Sequence, residues 1–160
     1  HGRARSGLAA KTGFESVYWS AGWWGNAFSS LGVLCDPAHP ALALFPNDGH
    51  SDWQWYTLTS GATTFILDEA PRGFRPIVQP ITDFHHNHLL GHLFEARVGK
   101  GRLVVCGYDL TSNLEARHAA RQLRRSLLSY MQSDAFLPDQ ELSVGFLRRL
   151  LGDASGRPSE

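Results

Sequence analysis

The chain has 160 residues, 19% of them charged, and its fifteen basic side chains balance fifteen acidic ones. That length supports one domain with a core and leaves no room for a second full one. Zero formal charge excludes the basic excess of a nucleic-acid surface and offers no polybasic membrane anchor.

Residues 1–13 are basic, small and glycine-containing, and read as a flexible lead-in to a domain over 14–151. The chain opens on His1 with no signal-peptide pattern, which predicts a segment cut from a longer polypeptide. A short strand is predicted around Phe14. Trp19-Ser-Ala-Gly-Trp-Trp-Gly follows as a loop, with Gly22 and Gly25 bracketing Trp23 and Trp24. Leu31 to Cys35 is the next strand, stopped by Asp36-Pro37 because proline has no N–H for a ladder. Ala41 to Phe45 is a short apolar run, and Pro46-Asn47-Asp48-Gly49-His50 is a turn cluster. Ser51 is a candidate cap for a short helix over 51–58 with Trp55 and Leu58 on one face. Trp53-Gln54-Trp55 also alternates as a strand would.

Thr63 to Leu67 is β-branched and apolar, a strand signal. Pro76 to Ile81 reads as an extended edge segment. Thr82 to His92 holds four of the eight histidines. Two apolar runs then flank Gly99-Lys100-Gly101, a hairpin signal in which glycine is free to take positive φ. The second run, Leu103 to Cys106, is continuously apolar, as in a strand buried on both faces. Ser112 and Glu115 fit a capping box for a long helix near 113–133, with a stripe of Leu114, Ala119, Leu123, Leu127 and Met131. Its arginines read as a solvated face. A C-terminal helix is expected near 139–151, led by Pro138 and ended by Gly152. Residues 152–160 read as a disordered tail.

These elements predict an α/β fold: a single layered domain with strands near 31–35, 63–67, 76–81, 93–98 and 102–107 in one mixed sheet, the long helix packing across it. A β-sandwich with a terminal helix is the competing architecture.

Cys35 and Cys106 each lie at the end of an apolar run and are expected as buried free thiols, with a mutual disulfide left open. Cys106-Gly107 echoes a nucleophile elbow, but Val104 stands where that motif has glycine. His85, His86 and His88 with Asp83 offer imidazole and carboxylate, yet no Cys pair or His-Glu-x-x-His motif accompanies them. No metal or cofactor is expected. Asp36, Asp48, Asp52, Asp68, Glu69, Asp83 and Asp109 sit near the ends of apolar runs, but no motif pairs two of them across a sugar. No catalytic residue is assigned. Sugars present apolar C–H faces that stack on tryptophan, and hydroxyls that need carboxylate, amide or imidazole. Trp19, Trp23 and Trp24, then His50, Asp52, Trp53 and Trp55, then Asp83 and His86, are therefore the carbohydrate-binding candidates.

Several long words of this chain carry a resemblance: Leu31-Gly-Val-Leu-Cys-Asp-Pro-Ala-His-Pro-Ala-Leu, His50-Ser-Asp-Trp-Gln-Trp, Arg75-Pro-Ile-Val-Gln-Pro-Ile-Thr-Asp, and Leu90-Gly-His-Leu-Phe-Glu-Ala-Arg-Val-Gly-Lys-Gly-Arg-Leu-Val-Val-Cys. They resemble the C-terminal region of large bacterial proteins of the glycoside hydrolase family 2 type, the beta-galactosidase-like enzymes. The likeness covers about residues 14 to 133. The region is also distantly similar to non-catalytic glutamine-amidotransferase-like domains. The resemblance implies a non-catalytic accessory domain, because the catalytic glutamates of such enzymes lie in a separate barrel domain. Its expected partner is the catalytic domain of the parent polypeptide, with glycan contact as an addition. A carbohydrate-binding module using the Trp-rich loops, and glycoside hydrolysis within the chain, are the alternatives. Location is left open, a secreted or periplasmic parent being compatible with the resemblance.

Overall fold

The computed structural model describes residues 9–14, 29–30, 32–82 and 87–152. In chain order these form β1 (Ala9–Phe14), β2 (Ser29–Ser30), β3 (Gly32–Cys35), a 3-10 turn (Pro40–Leu42), α1 (Trp53–Thr59), β4 (Ala62–Ile66), β5 (Val78–Ile81), β6 (Leu90–Gly91), β7 (Leu93–Val98), β8 (Gly101–Cys106), α2 (His118–Met131) and α3 (Val144–Leu151). The domain is α/β with a mixed set of strands, a long helix and a C-terminal helix, as the sequence predicts.

The strands divide between two four-stranded sheets, ordered β2-β1-β4-β6 and β3-β5-β7-β8, where one sheet is expected. The pair β1–β2 is parallel, and the other strand pairs are antiparallel. The physical reason for the split is His92. It interrupts one apolar run between β6 and β7, and its N–H turns to the Val78 carbonyl at 3.0 Å. β6 stays with β4, while β7 passes to β5 and β8. Gly107 closes the joint: its N–H donates to the His92 carbonyl (2.7 Å), and its carbonyl accepts from Thr63 N–H (2.8 Å).

The β7–β8 hairpin pairs from Leu93↔Cys106 to Val98↔Gly101, turning through Gly99 at φ 57°. Across its sheet, Cys35, Val78, Leu93 and Cys106 stand in one row. That row faces a core built with Leu42 and Phe45, Trp55 and Leu58 of α1, and Leu123, Leu127 and Tyr130 of α2. On the opposite face Phe94, Ala96 and Val105 meet Phe146, Leu147 and Leu150 of α3, with Phe65, Leu67 and Phe74. Helices thus cover both faces of the β7–β8 region. The row also rules out the disulfide. Three strand spacings separate Cys35 from Cys106, ~14 Å, against a limit of about 7 Å between bridged Cα atoms. Both thiols are free.

Four expected boundaries are corrected. Residues 9–13 are not lead-in: β1 pairs with β4 from Ala9↔Phe65 to Thr12↔Ala62. The rest of the predicted lead-in, residues 1–8, and the tail after Gly152 lie outside the described residues. The strand expected at 76–81 begins at Val78. The long helix starts at His118, and the Ser112–Glu115 box does not cap it. Asp109 organises that stretch instead, its carboxylate accepting the N–H groups of Thr111 and Ser112 at 3.0 Å each. Those bonds, Ser112 first, hold the Asp109 carboxyl well below the usual range. Asn113 at φ 47° then breaks the helical path. The C-terminal helix begins at Val144, because the segment before it pairs beside β7. Arg97 N–H donates to Gln140 (2.7 Å) and Leu142 N–H to Arg97 (3.0 Å). Ser143 then caps α3 through Phe146 N–H. Among the described residues no helix is long and apolar enough to cross a membrane.

Candidate functional site

The stretch 46–56 is built by side chains that close on their own backbone. Asn47 donates to the Phe45 carbonyl (2.9 Å) and accepts Gly49 N–H (3.1 Å), which shapes the turn. Ser51 is not the helix cap. Its hydroxyl accepts Val33 N–H at 2.8 Å and pins the loop to the edge of β3. Asp52 is the cap, accepting Gln54 N–H (3.0 Å) and Trp55 N–H (3.2 Å).

The helix decides which tryptophan sees solvent. Two residues apart on a strand, Trp53 and Trp55 would share a face; on a helix they point to nearly opposite sides. Trp55 is fully buried, with its ring 5.1 Å from Phe45 and 6.2 Å from Tyr108. Trp53 is 81% exposed and meets Tyr56 edge-on at 5.6 Å. Together with Ser51 and Asp52 this pair lines a shallow, open cavity of about 290 Å³.

Of the predicted sugar contacts, then, Asp52 and Trp53 are brought together. His50 is exposed beside them and bonds to the Asp48 carbonyl of its own turn, outside the cavity lining. Trp55 is corrected to a core residue. Trp19, Trp23, Trp24, Asp83 and His86 lie outside the described residues.

Two polar clusters escape sequence reasoning. One is a buried row in which His92 Nε2 bonds Thr64 Oγ1 at 2.7 Å and His92 Nδ1 bonds the Tyr108 hydroxyl at 3.0 Å. His92 is fully buried, and burial pushes its pKa down to about 3, so it stays neutral. Burial likewise pushes Tyr108 well above its ordinary value. A histidine inside the apolar run Leu89–Phe94 is the one sequence signal for this row. The second cluster sets the Tyr130 hydroxyl on Glu95 at 2.7 Å, with His39 Nε2 4.0 Å from the other carboxylate oxygen. Nothing in local sequence joins those three positions.

The family of the chain follows from a match that covers almost all of this architecture. A family model described as a domain of unknown function, DUF8487, matches residues 4–152. The chain belongs to that family. No curated protein matches it. The matched span takes in every element of the DUF8487 domain from β1 to α3.

Chemically, the DUF8487 domain offers little nucleophilic character at its thiols. Burial, with Asp36 and Asp52 nearby, pushes Cys35 up to about 11, and burial pushes Cys106 to about 11. Among the described residues no group of three or more His, Cys, Asp or Glu is placed to hold a metal. His88 bonds Asp68 at 2.6 Å while Asp68 also accepts Leu89 N–H (2.7 Å), a clasp at the entry to β6.

The buried histidine predicts an acid limb. A free imidazole takes its proton near 6.5, whereas His92 resists it down to about 3. Between those values the unfolded chain binds the extra proton. Stability is therefore full above about pH 6.5 and falls by several kcal/mol as pH drops towards 3. Urea midpoints measured across that window check this. His92→Gln is expected to flatten the slope, and an unchanged slope would assign it to other groups.

Proposed function

We propose that this DUF8487 domain is a non-catalytic accessory domain of a carbohydrate-active enzyme of the glycoside hydrolase family 2 type. Its role is to support the catalytic domain or its assembly, with the Trp53–Tyr56 ledge as its outward contact. The sequence resemblance supplies the enzyme class. The observation that carries the domain's own role is the state of the ledge. Its aromatic rings face solvent, while the polar groups beside them are engaged within the fold: Ser51 on Val33 and Asp52 on the first turn of α1. Exposed aromatic surface beside engaged polar groups suits a packing contact better than a pocket that works on a substrate.

Glycan contact at the same ledge is the second reading. Trp53 supplies a flat face of the kind sugars stack on, and its 81% exposure favours that reading. Calorimetric titration with a panel of plant and bacterial polysaccharides separates the two. The support role predicts no saturable binding. Saturable binding that disappears in Trp53→Ala, with the fold intact by circular dichroism, would overturn it in favour of a carbohydrate-binding module.

A further inference from the structure

The chain is neutral as a whole, but its charges are segregated along the sequence. Between Lys11 and Arg72 there is no lysine and no arginine, against the carboxylates Glu15, Asp36, Asp48, Asp52, Asp68 and Glu69. The Trp53–Tyr56 ledge belongs to this acidic stretch. Among the described residues its cavity is lined by Ser51, Asp52, Trp53 and Tyr56, so Asp52 supplies the one formal charge there. Among the described residues no cation pairs with that carboxylate.

Trp53 and Tyr56, three positions apart on α1, meet at 5.6 Å with their ring planes 74° apart. Two rings set nearly at right angles leave a concave corner with a ring face on each wall. Both rings are open to solvent, Trp53 at 81% and Tyr56 at 49% exposure. The π face is the negative part of an aromatic ring and attracts a cation. The kind of cation is decided by the acceptors beside the rings. Asp52 Oδ1 already accepts the N–H groups of Gln54 and Trp55, and Oδ2 takes Gln54 Nε2 at 3.4 Å. The Ser51 hydroxyl is held by Val33 N–H. The carboxylate keeps its charge but has little acceptor capacity to spare. A primary ammonium or a guanidinium brings N–H donors that this wall would leave poorly paired. A quaternary ammonium brings none, and its methyl groups suit the apolar ring faces.

We propose that the Trp53–Tyr56 corner binds a small quaternary ammonium compound, with Asp52 as its counter-charge. The two rings take the methylated head, and the carboxylate acts through its charge while its oxygens go on capping α1. A neutral sugar at the same corner would gain nothing from that charge, and its hydroxyls would need the acceptors already engaged. The inference rests on the ledge being the outward contact proposed above and names a ligand for it. Its failure would leave the support role standing, because the polysaccharide titration judges that role separately.

Calorimetric titration of the whole chain with choline chloride, against matched sodium chloride, tests it. Saturable one-to-one binding with a dissociation constant of roughly 1–10 mM is expected, as suits an open cation–π site. Choline's uncharged isostere, with carbon in place of nitrogen, is expected to bind about tenfold more weakly or worse. Trp53→Ala is expected to abolish saturation. Asp52→Asn is expected to weaken binding several-fold with circular dichroism unchanged, because asparagine caps a helix as well as aspartate does. No saturation by choline up to about 100 mM would overturn the proposal. Binding retained in Trp53→Ala, undiminished in Asp52→Asn, or matched by the isostere would overturn it too, since none of these fits a charged ligand held in the corner. Adsorption to phosphatidylcholine vesicles without binding of free choline would overturn it in favour of a lipid surface.

Discussion

Gly107→Ala is expected to destabilise the domain by at least about 3 kcal/mol, through overpacking and a lost buried hydrogen bond. A Cβ at this position would stand 1.8 Å from the Thr63 carbonyl oxygen and 3.0 Å from its carbon. Neither contact can be relieved by rotating a side chain, because both atoms are backbone. The only escape is to move β4 away from β8, and that breaks the Thr63–Gly107 bond and strains the Gly107–His92 bond beside it. These bonds hold the two sheets together at the point where the chain passes from one to the other. Equilibrium urea unfolding should show the loss as a lower midpoint. Gly99→Ala serves as the contrast. Its Cβ would meet nothing within 4 Å, and only its positive φ of 57° opposes the substitution. A Gly107→Ala protein as stable as Gly99→Ala would show that the junction is not packed as described.

Trp55→Ala is expected to cost about 3–5 kcal/mol, the range for deleting a large buried aromatic side chain. Trp53→Ala, two residues away, should stay within about 0.5 kcal/mol, as surface changes do. The contrast follows from burial. Trp55 is fully enclosed against Phe45 and Tyr108 in the larger core, whereas Trp53 is 81% exposed. Among the described residues the Trp55 indole N–H has no hydrogen-bond partner. Trp55→Phe should therefore cost less than Trp55→Ala, because it keeps much of the ring and removes the desolvated donor. Comparable losses at positions 53 and 55 would contradict the helical reading of this segment.

Local pattern carried the elements whose cause is local. The hairpin was legible because Gly99 supplies the corner and the run to Cys106 is continuously apolar; β7 falls where expected and β8 shifts by one residue. Leu123 and Leu127 were legible as the inner side of α2 by their spacing. Where the sequence misled, a competing contact prevailed, long-range at one place and local at another. Residues 139–142 have a helix-like lead-in, yet Gln140 and Leu142 bond Arg97 more than forty positions earlier in the chain. Ser112 and Glu115 spell a capping box, but Asp109 captures the Ser112 N–H first. The break into two sheets falls at His92, whose N–H bonds the Val78 carbonyl of the second sheet, a pairing that no periodicity encodes. At the candidate site the grouping of Asp52 with Trp53 was legible. Which tryptophan faces outward was not, because the same three residues fit a strand and a helix equally well. The partners of His92 lie 28 and 16 positions away and could not be read locally.

The domain is proposed to support a carbohydrate-active enzyme without performing its chemistry. Assaying the purified chain against a panel of aryl glycosides tests that most directly. No turnover above buffer is expected for any of them. Turnover that survives repurification and vanishes on substituting a single carboxylate, with the fold intact, would contradict it and place an active site within this chain.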